Sequence, residues 1–213
     1  MLTIKRRPMM IVFSSPSGAG KTSITRRLLA LDNLIRLSIS WTTRPMRPGE
    51  IDGQDYFFVD QAAFDAKVAE NGFIEYAHAQ AHAFGKSYGT PRDYVDRTMA
   101  EGHDVLFDIE WQGARQLKAA APEDVVSIFI LPPSKAHLED RLTKRGQDDA
   151  ATVAKRMAKA NDEMSHWNEY DYVIVNDFLE RALQEAHEII AAERLRRYRQ
   201  PGLEEFVRAL MSQ

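Results

Sequence analysis

The chain has no cysteine. That excludes disulfide staples and thiol chemistry, and it fits a reducing compartment. It also lacks a long apolar run: no stretch approaches the roughly 18 residues of a membrane span. A basic excess is missing too. The formal net charge is −3, whereas dedicated nucleic-acid-binding domains are usually strongly basic. No internal repeat and no low-complexity tract is visible. The start, MLTIKRRP, is basic like a secretory leader, but only MMIVF (9–13) follows it. That run is short of the roughly 7–15 residues of an export segment, and no cleavage-like segment succeeds it. The expectation is a cytoplasmic protein whose short basic leader enters its first strand, with no membrane partner and no nucleic-acid partner.

What is present points to one α/β domain with insertions. With 213 residues, 44% of them hydrophobic, the chain can bury about 70% of its unfolded surface without a staple. Four short apolar runs read as parallel strands covered on both faces. They are MMIVF (9–13), DVLFDI (104–109), VVSIFIL (125–131) and YVIVN (172–176). Helical patterns follow them at Lys21–Leu31, Trp111–Ala120 and Ser134–Arg145, the last with Ser134 as N-cap. Asp177 and Glu180 resemble a capping box for a helix reaching near Arg199. Val153, Met157, Ala160, Met164 and Trp167 form one core-facing stripe.

Residues 40–100 break the alternation and read as a small, mostly β insertion. RPMRPGEIDGQ (44–54) is turn-rich, YFFV reads as a strand, and Asp60 caps a helix stopping at Asn71-Gly72. YAHAQAHAF alternates as an exposed strand would. His78 and His82 share a face of it, and a solvated face is preferred over a metal site. ERLRRYR (193–199) reads as a solvated basic helix end, and GLEEFVRALMSQ as an extra amphipathic helix packed on the core or on another subunit.

The chemistry is concentrated in SSPSGAGKTS (14–23). It fits the end of a phosphate-binding loop, G-x-x-x-x-G-K-[ST], with Gly20, Lys21 and Thr22 in place. Backbone N–H groups, a helix N-terminus and a lysine converge on phosphate in such a loop, and the adjacent hydroxyl can ligate Mg²⁺. Ser15 stands where the first glycine belongs, which costs freedom if that residue needs positive φ. Asp108 ends the second apolar run, as an acidic residue organising Mg²⁺ or water would.

Several motifs in order, PSGAGKTS (16–23), SISWTTRPMRPGEIDGQDYFFV (38–59), FIEYA (73–77), YGTP (88–91), DIEWQG (108–113), RLTKRG (141–146), KRM (155–157) and VIVND (173–177), resemble the guanylate kinase family. The resemblance runs from about Met10 to Ile190. It implies a P-loop NTPase core with a parallel sheet flanked by helices, a GMP-binding insertion and a lid. The core would span about 1–39, 101–140 and 168–213, the GMP region about 40–100 and the lid about 141–167. It implies transfer of the γ-phosphoryl of ATP to GMP, with Mg²⁺, in purine nucleotide metabolism.

Residue by residue, the resemblance places Ser15, Pro16, Ser17, Gly18, Ala19, Gly20, Lys21, Thr22 and Asn176 on ATP, and Thr22 on the metal. It places Ser40, Arg44, Arg47, Glu50, Tyr56, Glu75, Tyr88, Thr90, Asp108 and Glu110 around GMP, with Glu75 reading the base. Lys21, Arg44, Arg141, Arg145 and Arg156 would supply positive charge to the transferring group. Glu110 is a mild departure, since many members carry Asp there. The segment between Glu75 and Tyr88 is about four residues longer than usual, an even number that preserves strand facing. Closure of the insertion and the lid would keep water from ATP. Two alternatives are a phosphopeptide-binding module without catalysis and a kinase for another small phosphorylated molecule. The retained Lys21 and arginines speak against the first, and Ser40, Glu75 and Glu110 against the second.

Overall fold

The computed structural model describes residues 4–78, 86–144 and 150–213. The elements in chain order are β1 (Met10–Ser14), α1 (Lys21–Leu31), β2 (Ile35–Leu37), β3 (Trp41–Thr42), β4 (Phe57–Phe58), α2 (Gln61–Ala69), β5 (Phe73–Ala77), β6 (Tyr88–Pro91) and α3 (Arg92–Ala100). Then come β7 (Asp104–Asp108), α4 (Trp111–Ala120), β8 (Val125–Leu131), α5 (Lys135–Lys144), α6 (Ala150–Ser165), β9 (Tyr172–Val175), α7 (Leu179–Arg194) and α8 (Gly202–Met211).

The first sheet has the order β2-β7-β1-β8-β9 and every pairing in it is parallel. The four apolar runs supply four of its five strands. Alternate residues of β1 feed two separate cores, as the strand period of two requires. Met9, Ile11 and Phe13 pack with Ile24 and Leu28 of α1 and with Ala186 and Ile190 of α7. Met10 and Val12 pack on the other face with Val95 of α3 and Leu117 of α4. The sheet is therefore covered on both sides, which explains why its strands read as continuous apolar runs. The second sheet, β4-β3-β6-β5, is built within residues 41–91 and is mixed. A third, smaller cluster joins Leu138 and Leu142 of α5 to Val153 and Ala160 of α6.

Two of the expected caps form. Ser134 Oγ accepts the His137 N–H at 3.2 Å, and Asp60 Oδ1 accepts the Ala63 N–H at 2.7 Å. The capping box at Asp177 does not form. Asp177 accepts the N–H of the next residue, Phe178, and pairs with Arg181, while Glu180 reaches Arg27 at 2.7 Å. Helix α7 ends at Arg194, not Arg199, and a 3₁₀ turn follows over Arg197–Arg199. Trp167 leaves the core stripe because α6 stops at Ser165; it lies half-exposed in a 3₁₀ turn. Of the alternating stretch 76–84, Tyr76 and Ala77 lie in β5 and His78 follows it, 3.9 Å from Asp65, while 79–85, including His82, lie outside the described residues. Helix α8 runs exposed along one side, joined to the leader where the Gly202 N–H meets the Lys5 carbonyl at 3.2 Å.

The basic end of α7 is only in part the solvated face its composition suggests: Arg196 and Arg197 are exposed, but Arg194 and Arg199 are not. Arg199 is 1% exposed beside Glu193. Arg194 bridges Asp32 at 2.5 Å and Asp104 at 2.7 Å. Asp104 is fully buried and also accepts from Arg6 at 2.5 Å and from the Met9 N–H at 2.9 Å. One carboxylate thus ties the leader, β1, β7 and α7 together at the end of the sheet remote from the phosphate loop. Breaking a buried ion pair from one side strands the other charges. Asp104→Ala is expected to lower the unfolding free energy by about 3–5 kcal/mol in urea titration. A loss under about 1 kcal/mol would show that the network contributes no more than a surface pair.

Candidate active site

Strand β1 runs out at Ser14 into the loop 15–20, which opens α1 at its N-terminus. Gly18 and Gly20 sit at φ 94° and 100°, where L residues are strained. A Cβ on Gly20 would run into the Asn176 amide. Ser15 does not need the freedom of a glycine. Among the described residues Asn71 is the one non-glycine with positive φ, so serine serves at the first position of this loop without strain.

The loop is clamped from two sides. Asn176, at the end of β9, donates to the Ala19 carbonyl at 2.7 Å. Arg141 of α5 donates to the same carbonyl at 3.2 Å and to the Asn176 carbonyl at 2.9 Å. Lys21 pairs with Asp108, and Thr22 Oγ1 lies 3.5 Å from the other Asp108 oxygen. A hydroxyl and a carboxylate side by side are hard oxygen donors. That set suits Mg²⁺, which takes few protein ligands and fills its shell with water and phosphate.

Helix α6 roofs the loop. Arg156 reaches Ser17 Oγ at 3.4 Å, and Glu163 accepts the Ser17 N–H at 3.1 Å. Lys159 stands between Glu163 at 3.2 Å and Glu110 at 3.4 Å. These residues and the loop enclose a cleft of ≈ 210 Å³. Glu163 and Lys159 were absent from the residues picked from sequence. Their signal was available: Arg156, Lys159 and Glu163 recur at spacings of three and four beside the apolar stripe, as one helix face does. Arg145 lies outside the described residues.

The second sheet carries a different chemistry. The Arg44 guanidinium forks onto Glu50 at 2.7 and 2.9 Å, the bidentate geometry that fixes its plane. Glu50 also accepts the Arg47 N–H at 2.7 Å, so it organises the turn as well as the cation. The hydrogen bond to Glu50 strengthens the Arg44 cation, and Arg44 in turn holds Glu50 below the usual carboxylate range. Tyr88 supports Arg44 with a further hydrogen bond, and the Tyr56 ring lies 5.3 Å from its guanidinium. Burial pushes the Tyr56 hydroxyl up to about 12, so it stays a donor. Arg47 projects into solvent.

Glu75 of β5 is 6% exposed. Thr90 Oγ1 donates to it at 2.6 Å, and Ser40 Oγ lies 3.0 Å from Thr90 Oγ1. No cation pairs with Glu75 among the described residues. Burial therefore pushes its carboxyl up to about 7, with the Thr90 bonds only partly offsetting it. Ser40, Glu75 and Thr90, which the family resemblance places around GMP, form one chain of hydrogen bonds.

The sequence model of the guanylate kinase family matches residues 5–193. The chain belongs to the guanylate kinase family. It is 54% identical over 209 residues to a guanylate kinase of Maricaulis maris, covering 98% of this chain and 94% of that one. It is 53% identical over 208 residues to one of Novosphingobium aromaticivorans, covering 98% and 92%. A crystal structure of guanylate kinase from Anaplasma phagocytophilum superposes with a TM-score of 0.78 at 36% identity, covering 96% of each chain. A gluconokinase from Sinorhizobium meliloti, 15% identical with a TM-score of 0.51, shares the fold alone. The parallel sheet flanked by helices is thus the P-loop NTPase core of this family. No helix among the described residues is long and apolar enough to cross a membrane.

The elevated Glu75 carboxyl has a consequence for stability. Between about 4.5, its ordinary value, and about 7 the native state holds a proton that the unfolded chain has released. Stability then falls as pH rises through that window. Glu75→Gln removes the penalty and keeps an oxygen for Thr90. The variant is expected to unfold at higher urea than the wild type at pH 8, with the gap shrinking at pH 5. Equal gaps at both pH values would show that the carboxylate is not penalised by its burial.

Proposed function

We propose that this protein moves the γ-phosphoryl group of ATP to GMP, giving ADP and GDP, and acts likewise on dGMP in purine nucleotide metabolism. Glu75 carries this reading. Guanine presents N1–H and N2–H₂ donors together, and a buried carboxylate without a cation partner is the acceptor that would take both. Ser40 and Thr90 lie on the side of its O6, and Glu110 is assigned near N2. Adenine would leave those groups unpaired, which is how such sites reach discrimination of about 10⁴ or more.

The phosphate of GMP is assigned to Arg44 and Arg47, with Tyr56 and Tyr88 as hydrogen-bond donors and Glu50 holding the turn. ATP is assigned to the loop 15–22, with Asn176 toward the base and Asp108 behind Lys21. The attacking group is a GMP phosphate oxygen, which is largely ionised at neutral pH because its second pKa is about 6. No general base is required. A bond forms between that oxygen and the γ-phosphorus as the bond to the β-phosphate oxygen breaks, and ADP leaves.

This chain contributes position and positive charge around the three phosphate groups. Lys21 exchanges Asp108 for phosphate oxygens, Arg141 and Arg156 approach from α5 and α6, and Arg145 and Arg44 complete the set. Thr22, with Asp108 behind it, would hold Mg²⁺, which supplies charge to the ATP phosphates when bound. Residues 1–39, 101–140 and 168–213 are assigned as core, 40–100 as the GMP region and 141–167 as the lid. The confinement of the second sheet to residues 41–91 supports that division.

ADP release from Mg-ATP with GMP, AMP, UMP or CMP as acceptor tests the reading. Turnover is expected with GMP, and Glu75→Gln is expected to lower kcat/KM for GMP by about 10²-fold or more. Equal turnover with AMP, or an active Glu75→Gln variant, would contradict it.

A further inference from the structure

Among the described residues the carboxylate of Glu75 has one side-chain hydrogen-bond partner, Thr90, and that bond fixes only one of its oxygens, Oε1. The other, Oε2, lies close against α4, a helix of the core. A Cβ built on Gly113 would stand 2.7 Å from Glu75 Oε2 and 3.1 Å from Ile109 Cδ1. Glu75 Oε2 therefore occupies the place where any other residue would carry its side chain. Glycine is a poor helix residue, about 1 kcal/mol worse than alanine, and its φ here is not in the left-handed region. Backbone conformation does not call for glycine at this position; the close approach does.

Three residues further along the same face, Gln116 repeats the contact in another form. Its Oε1 accepts the Tyr76 N–H at 3.0 Å, and its Nε2 donates to the Tyr76 carbonyl at 2.8 Å. Strand β5 lies at the edge of the second sheet. The amide of Gln116 takes the place of a neighbouring strand for the residue next to Glu75.

We propose that Gly113 and Gln116 are positioning residues for base recognition, seating β5 on α4 so that both oxygens of Glu75 are held in one place. The inference rests on the reading of Glu75 as the guanine acceptor. A carboxylate that must meet two donors at once tolerates little displacement. The contacts also couple base recognition to the core, since α4 follows directly from β7, whose last residue is Asp108.

Steady-state kinetics on Gly113→Ala, in the native and Glu75→Asp backgrounds, test the proposal, with Gln116→Ala as an independent variant. The expected result for Gly113→Ala is a KM for GMP raised about 10- to 100-fold. Its KM for ATP should stay within about twofold, because among the described residues no hydrogen bond joins the phosphate loop to Gly113 or Gln116. Its melting temperature is recorded as the folding control, since the helix preference of alanine offsets part of the strain of the close approach. In the Glu75→Asp background the shorter acid withdraws from the added methyl, so the same substitution should cost less than about threefold. Gln116→Ala should give the same GMP-selective rise, which keeps the test alive if Gly113→Ala fails to fold. An unchanged KM for GMP, a parallel rise for ATP, or an equal penalty in both backgrounds would overturn the positioning role. Wild-type enzyme that leaves GMP unphosphorylated would overturn the underlying reading and this proposal with it, and it shows before any variant is measured.

Discussion

The constraint around which the candidate site is arranged is a buried carboxylate, Glu75, that meets no counter-ion among the described residues. Burying Glu75 disfavours its charged form, and among the described residues hydrogen bonds from Thr90 alone offset part of that cost. The cations of the site are treated in the opposite way. Lys21 sits on Asp108, Arg44 on Glu50, and Lys159 between Glu110 and Glu163. Each of these positive groups is held in place by a carboxylate, whereas Glu75 pairs with no cation among the described residues. A ligand with anionic phosphates at one end and paired N–H groups at the other satisfies both halves together.

The parallel topology makes this possible. Strand C-terminal ends in such sheets open onto a common edge, where ligands of α/β proteins collect. Here three strands lead to that edge: β1 runs into the phosphate loop, β7 ends at Asp108 and β9 is followed by Asn176. The opposite edge is closed by the Asp104 network, which joins Arg6 and Met9 to α7. Stability and function are thus placed at opposite ends of the same strands. Their separation lets the site keep an unfavourable group such as Glu75 while the far end supplies compensating ion pairs.

Much of this was legible in the residues. The apolar runs gave four strands of the parallel sheet, because burial on both faces demands continuous hydrophobicity. The loop was legible despite Ser15, and the structure shows why the substitution is harmless: the backbone there does not enter positive φ. The sites of Glu75, Ser40 and Thr90 came from resemblance to a family, not from periodicity, since residues distant in sequence meet only through the β5–β6 and β3–β6 pairings. What stayed hidden has the same physical origin. Arg194 and Arg199 looked like solvent-facing charges because their partners Asp32, Asp104 and Glu193 are brought to them by tertiary packing. Gly113 matters through its approach to a side chain of another element, and no local pattern announces that. Trp167 was misplaced because a helix periodicity was carried two residues past the end of α6.

The most direct measurement is the titration of the Glu75 carboxyl itself, by ¹³C NMR of selectively labelled protein with and without GMP. The account predicts a midpoint near 7 in the free protein. It predicts a clear downward shift when GMP donates its two hydrogen bonds, because donors to a carboxylate favour the ionised form. An ordinary carboxylate midpoint in the free protein, or a midpoint that GMP leaves untouched, would contradict the claim that this buried group is kept for the base.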